Sequence, residues 1–291
     1  VTQAVRQRRP ERYLAFLAPA LVVMALVIVG PWLFTLVMST MDWRIGSAPQ
    51  FVGLANYAQL LGNQRFLAAL GTTLFFTALA VVLPLVFGVA AAWVFNQRFP
   101  LRALARSVFV LPMMATPVAV ALVWAMMFHP QQGVLNYLLS IVGLGPSLWV
   151  YSPAWVIPSL VLVEVWQWTP LVMLIVLGGL ATLPQEPVEA AQLDGANAWQ
   201  VAWLVTLPML RPFIVVAAVL RTIDALKTFD SIFVITQGGP GTASETLNLY
   251  LYLQAFSFYQ IGTASAVVVL FFGLIAALAW ALFRLRGAGH G

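Results

Sequence analysis

The sequence predicts an all-α fold, a polytopic membrane bundle of six transmembrane helices, on three observations. Of its 291 residues 62% are apolar and only 8% charged, whereas a water-soluble domain needs about a quarter of its residues charged to make a wetted surface. Six stretches are each apolar over the roughly 20 residues that a helix needs to cross a bilayer. The arginines gather in alternate connections between those stretches, as orientation signals do.

The first stretch covers residues 13–41. Arg6, Arg8, Arg9 and Arg12 precede it as in a signal peptide. Its apolar run is far longer than a signal core of roughly 7–15 residues, and no small-residue cleavage site follows Met41, so a retained helix is expected behind a cytoplasmic segment, 1–12. The other five cover residues 66–95, 104–128, 154–183, 212–236 and 261–285. Arg98, Arg102 and Arg106 lie between the second and third, Arg211 before the fifth, and Arg284 and Arg286 after the sixth. The alternate connections hold only Arg44 and Arg65. The excess of arginine marks the cytoplasmic side and puts both termini there. A flexible tail, 287–291, is expected after the sixth stretch.

The net charge of +5 therefore reports topology rather than nucleic-acid binding. There is no cysteine, which removes disulfides and thiolate chemistry. His129 and His290 lie far apart, and no Ser/His/Asp set or carboxylate pair suggests catalysis or a metal. No phosphate-binding G-x-x-x-x-G-K-[ST] loop occurs, so the chain should not bind ATP. The outer segment 148–155 places Trp149, Tyr151 and Trp155 near Pro153, as membrane-interface anchors or as a contact for an external partner.

Charges at membrane depth cost about 2.5–3.5 kcal/mol each and need a reason. Glu164 lies in the fourth stretch, beside Trp166, Gln167 and Trp168. Arg221, Asp224, Lys227 and Asp230 follow at three-residue intervals in the fifth, a spacing that places them on one helix face as a self-neutralising row. Glu164 and Arg221 could pair with each other or meet a solute.

The segment 184–212 is the most informative. Glu186 and Glu189 suit the positive end of a short helix that tolerates Pro187 in its first turn. Ala190 and Ala191 leave a nearly flat face. Gly195 supplies a left-handed stop, and Asn197 caps a second helix bearing Trp199 and Trp203, which Pro208 and Pro212 should separate from the fifth span. An interfacial helix pair would share these features. The order Glu189-Ala190-Ala191, then Gly195, then Leu207-Pro208 resembles the EAA loop of binding-protein-dependent ABC importer permeases. Leu111-Pro112, Trp124, Gly133 with Asn136, the run from Glu164 to Pro170, Phe229-Asp230, the run from Thr236 to Pro240, and Ser244-Glu245-Thr246-Leu247 with Phe256 and Gly262 resemble the carbohydrate branch of that family.

The resemblance implies a type I ABC importer permease fold over residues 13–286 in the cytoplasmic (inner) membrane. It implies as partners a second permease subunit, two ATPase subunits and an extracytoplasmic solute-binding protein. Membrane lipid surrounds the chain, and nucleic acid plays no part. The solute would be a carbohydrate: a di- or oligosaccharide, a polyol or a glycerol phosphate. The chain would be no enzyme and hold no cofactor, ATP and magnesium residing on the partner. Glu189, Ala190, Ala191, Asp194 and Gly195 would meet the ATPase. Met113, Glu164, Trp168, Leu171, Arg221, Ala225 and Thr228 correspond to the sugar-lining positions of the maltose permease, although most identities differ from it. An ion-gradient transporter using Glu164 or Asp224 is the alternative; six stretches without visible repeats weigh against it.

Overall fold

A computed structural model describes residues 11–287, which form two compact units. The expectations for 1–10 and for 288–291, with His290, lie outside the described residues. The first helix already runs at Glu11, and the last includes Gly287.

The first unit takes in the chain up to Gly62 and Leu253–Leu270. Helix α1 (Glu11–Ser39) leads into an antiparallel pair, β1 (Met41–Asp42) and β2 (Gln50–Phe51), and then α2 (Ala55–Gly62). Buried Asn56 closes this corner by donating from Nδ2 to the carbonyls of Ser39 (2.9 Å) and Met41 (2.8 Å). The Ser39 carbonyl stands at the end of α1, where no intrahelical donor remains, and Met41 opens β1. Gly262 packs against the same strand: its N–H donates to Trp43 O at 3.1 Å, and a Cβ there would collide with Met41 O.

The second unit takes in Asn63–Tyr252 and the chain from Phe271 onward. It contains α3 (Gln64–Asn96), α4 (Arg102–Met114), α5 (Pro117–Met127), α6 (Val134–Ile141), α7 (Val156–Thr182), α8 (Glu186–Leu193) and α9 (Ala198–Gln200). There follow a π-helical stretch (Val201–Thr206), α10 (Leu207–Lys227), α11 (Asp230–Ile235) and α12 (Leu247–Tyr252), while α13 (Ile261–Gly287) is divided between the units. Helix α7 is the most buried of the apolar helices and packs against α3, α10 and α4. Ala92, Phe95, Val172, Met173, Leu210 and Ala217 form much of the core where they meet. Gly88 permits the closest approach, since a Cβ there would lie 2.5 Å from Val172 Cβ; small residues let membrane helices approach in this way.

Among the described residues five helices are long and apolar enough to cross a membrane, while α4 and α5 reach that length only as a pair bent by 97°, the form of a broken span or a re-entrant loop. The expectation of a single spanning helix over 104–128 is thus corrected to two helices with a break at Ala115 and Thr116. Pro117 disfavours helical geometry at the residue before it, and Ala115 and Thr116 are both extended (ψ 145° and 141°). Gln167, buried on α7, donates to the freed carbonyl of Ala115 at 3.3 Å.

The fifth span differs at both ends. Pro208 and Pro212 do not break it: a continuous apolar helix runs from Ala198 to Lys227. The π-helical turn widens the backbone ahead of Pro208, which falls in the first turn of α10, where a missing N–H costs least. The span stops at Lys227 rather than near Thr236, because Thr228 turns the chain (ψ 121°) and α11 starts afresh at Asp230. Asp230 therefore leaves the row formed by Arg221, Asp224 and Lys227.

Candidate functional site

Two features stand out: the connection between α7 and α10, and a polar cluster inside the second unit. In the connection, Glu186 and Glu189 occupy the first turn of α8 with Pro187 beside them. The helix ends in a Schellman motif. Gly195 adopts φ +87°, its N–H donates to Gln192 O (3.1 Å), and Ala196 N–H reaches back to Ala191 O (2.9 Å). A capping box starts the next helix: Asn197 Oδ1 accepts from Gln200 N–H at 2.9 Å while Gln200 Oε1 accepts from Asn197 N–H at 2.8 Å. The two helices are thus joined at a defined turn by the left-handed glycine and the side-chain caps.

Glu189, Ala190, Asp194 and Gly195 are exposed and Ala191 is half-buried. Leu193 is 89% exposed, and Trp199, Trp203 and Leu204 are exposed beyond it, the two indoles 5.4 Å apart. Nothing in the sequence singles out Leu193. A leucine next to an aspartate carries no signal until the helix end shows which way it faces.

The polar cluster centres on Arg221, which is completely buried. Its Nη2 donates to Glu164 Oε2 at 2.9 Å and to the Ala80 carbonyl at 3.2 Å, joining α10, α7 and α3. Its guanidinium carbon stands 5.0 Å over the Trp168 ring. Nη1 lies 3.7 Å from Asp224 Oδ2, and neither Nη1 nor Nε has a hydrogen-bond acceptor in the protein. Glu164, Trp168 and Leu171 share a face of α7 by spacing, and Arg221 and Ala225 share one of α10. Thr228 caps that helix. Glu164 and Ala225 are buried, Met113, Trp168, Leu171 and Thr228 half-buried, and Met113 stands at the α4–α5 bend. The structure thus joins Glu164, Trp168 and Arg221 directly.

Two other residues acquire partners that spacing alone could not reveal. Arg65, in the sequence only a sparse outer-side charge, forms an ion pair with buried Glu245 (Nη2 to Oε2, 3.0 Å) across 180 positions of chain. His129 accepts through Nδ1 from Gln132 N–H at 3.1 Å within its turn. Among the described residues no group of three or more His, Asp or Glu side chains is placed to hold a metal.

A model of the family described as binding-protein-dependent transport system inner membrane component matches residues 84–286. The chain belongs to that family. The permease is 39% identical over 291 residues to a probable ABC transporter permease of Sinorhizobium fredii, covering 97% of this chain and 94% of that one. It is 33% identical over 279 residues to the trehalose/maltose transport system permease of Thermococcus litoralis, covering 94% and 93%. A solved bacterial ABC transporter involved in import of the acidic polysaccharide alginate contains a chain that superposes with a TM-score of 0.83 at 20% identity, covering 97% of both. That likeness shows the fold. The permease is accordingly a multi-pass membrane subunit and a non-catalytic transport component, with the all-α architecture of ABC importer permeases.

Proposed function

We propose that the permease forms half of the translocation path of an ATP-driven importer for a carbohydrate and receives the ATPase stroke through residues 184–212. The observation that carries this reading is the exposed α8 knob. It is built on a left-handed Gly195, bears Glu189-Ala190-Ala191 and Asp194, and is joined through the Asn197 cap and the π-helical turn to the long helix of Arg221. A force on that knob is conducted along one continuous element, from Ala198 to Lys227, toward the polar cluster. The partners are a second permease, two ATPase subunits that bind ATP and magnesium, and an extracytoplasmic solute-binding protein. Both termini and the knob lie on the cytoplasmic side, where the arginine excess places them.

The carbohydrate class rests on the trehalose/maltose relative and on the chemistry of the cluster. The Trp168 face can stack on a sugar ring, and the half-exposed carboxylate of Asp224 can accept from hydroxyls. Met113, Trp168, Leu171 and Thr228 supply the wall of the path. Glu164, Arg221 and Ala225 stand behind it, where the ion pair holds Trp168. An ion-gradient mechanism through Glu164 fits poorly, since Arg221 already neutralises that carboxylate.

Gly195→Asp tests the coupling. No atom lies within 4 Å of a Cβ added there, so the substitution perturbs only the left-handed stop and the docking surface. In proteoliposomes holding the assembled system, solute uptake should fall at least tenfold while the complex remains intact and ATP hydrolysis continues. Undiminished uptake would overturn the proposal.

A further inference from the structure

Helix α3 carries a buried proline in its interior, Pro84. In an α-helix the N–H of residue 84 would bond the carbonyl of Ala80, four positions earlier. Proline has no N–H, and its ring pushes that carbonyl aside. A carbonyl freed inside a membrane bundle needs another donor. The donor here is Arg221 of α10, whose Nη2 reaches Ala80 O at 3.2 Å across 141 positions of chain. The same nitrogen donates to Glu164 Oε2 at 2.9 Å. Two hydrogen bonds from one nitrogen fix the plane of the guanidinium, and the Trp168 ring, 5.0 Å from its carbon, covers one face. Nη1 and Nε are left without an acceptor, Nη1 standing 3.7 Å from Asp224 Oδ2 and so outside hydrogen-bond reach.

We infer that Pro84 is a positioning residue of the solute path: the Ala80 carbonyl it frees anchors the Arg221 guanidinium, which supports Trp168 and is kept from closing on Asp224. This rests on the proposed reading in which Trp168 and Asp224 meet the solute. A proline kept only for the shape of α3 would not need an arginine at the carbonyl it frees; a threonine hydroxyl or a local change of helical pitch would serve. Nor does Arg221 need Ala80 for its charge, since Glu164 already neutralises it. What the carbonyl adds is direction, a fixed point on a third helix. With an N–H at residue 84, Ala80 O would return to its own helix. The guanidinium would then have one acceptor fewer, and the carboxylate within reach of its unpartnered nitrogens is Asp224, its i+3 neighbour on α10. Held by Arg221, that carboxylate would no longer be open to hydroxyls.

The test separates the missing donor from the ring. In the assembled transporter, Pro84→Ala supplies an N–H, whereas lactic acid installed at position 84 by nonsense suppression removes the ring and supplies none. Uptake of radiolabelled trehalose, maltose and glycerol 3-phosphate is measured in proteoliposomes, and Arg221 is located in both variants by cryo-electron microscopy. Pro84→Ala should move the guanidinium from Ala80 O to Asp224 and raise the KM about tenfold with little change in maximal rate, the sign of weakened solute binding. The lactic acid variant should keep the wild-type KM and the contact with Ala80 O. An unchanged KM in Pro84→Ala, an Arg221 that stays on Ala80 O there, the same change in both variants, or loss of assembly in both would each overturn the inference. Loss of assembly with alanine alone would trace the effect to the added N–H and support it. If the wild type carries none of the three solutes, the carbohydrate reading fails, and the position of Arg221 in the two variants decides the role of Pro84 by itself.

Discussion

Arg221 illustrates how one side chain can organise a membrane protein's interior. Fully buried, it spends one nitrogen on both Glu164 and the Ala80 carbonyl, and it holds Trp168 by a cation–π contact. Removing one member of such a pair leaves the other charged and unsatisfied, which costs about 3–5 kcal/mol, whereas replacing both by apolar groups is far milder. Glu164→Ala should therefore abolish recovery of folded complex by size-exclusion chromatography. Glu164→Ala/Arg221→Met should restore recovery and yet transport poorly, because Trp168 loses its support. A double variant as unstable as the single one would show that the pair is not the source of the loss. The charges themselves were legible in the sequence because charge in an apolar helix is conspicuous. The Glu164–Arg221 pair was one of the options the sequence offered, but the choice between it and pairing inside one helix depends on where α7 and α10 face each other. Asp230 fell out of the expected row for the same kind of reason, since the turn at Thr228 has no strong residue signature.

Helix packing follows from residues that are too small to be noticed. Gly88 and Gly178 look alike in the sequence, both in apolar helices, yet a Cβ at Gly88 would strike Val172 while one at Gly178 would meet nothing within 4 Å. Gly88→Ala should destabilise the α3–α7 contact by about 1–3 kcal/mol through overpacking. Gly178→Ala should be neutral or raise stability by up to about 1 kcal/mol, since alanine is the better helix former. Comparing the melting temperatures of the two purified variants checks this, and equal shifts would refute it. The prolines show the same dependence on context. Pro117 breaks the third span, whereas Pro208 is absorbed into a first turn because a π-helical segment precedes it. Each proline removes an N–H; what the chain does about it depends on the neighbouring backbone.

For the molecule as a whole, the proposed reading commits to a topology with the arginine-rich connections in the cytoplasm. With no native cysteine, single substitutions can report it cleanly. Gln192→Cys, on the exposed α8, should react with a membrane-impermeant maleimide only in inverted vesicles, and Thr242→Cys, in the exposed turn after Pro240, only in right-side-out ones. The reverse pattern would place the knob outside the cell and remove the proposed coupling with it.

Composition, span count, the α8 knob and its two caps are all legible in the order of the residues, because each depends on local chemistry: transfer into lipid, left-handed glycine, side-chain capping. The bend between α4 and α5, the unbroken entry into the fifth span, the Arg65–Glu245 pair and the choice of the Glu164–Arg221 pair came from the fold. These depend on which helix faces meet, and that is settled by packing between segments up to 180 residues apart in the chain.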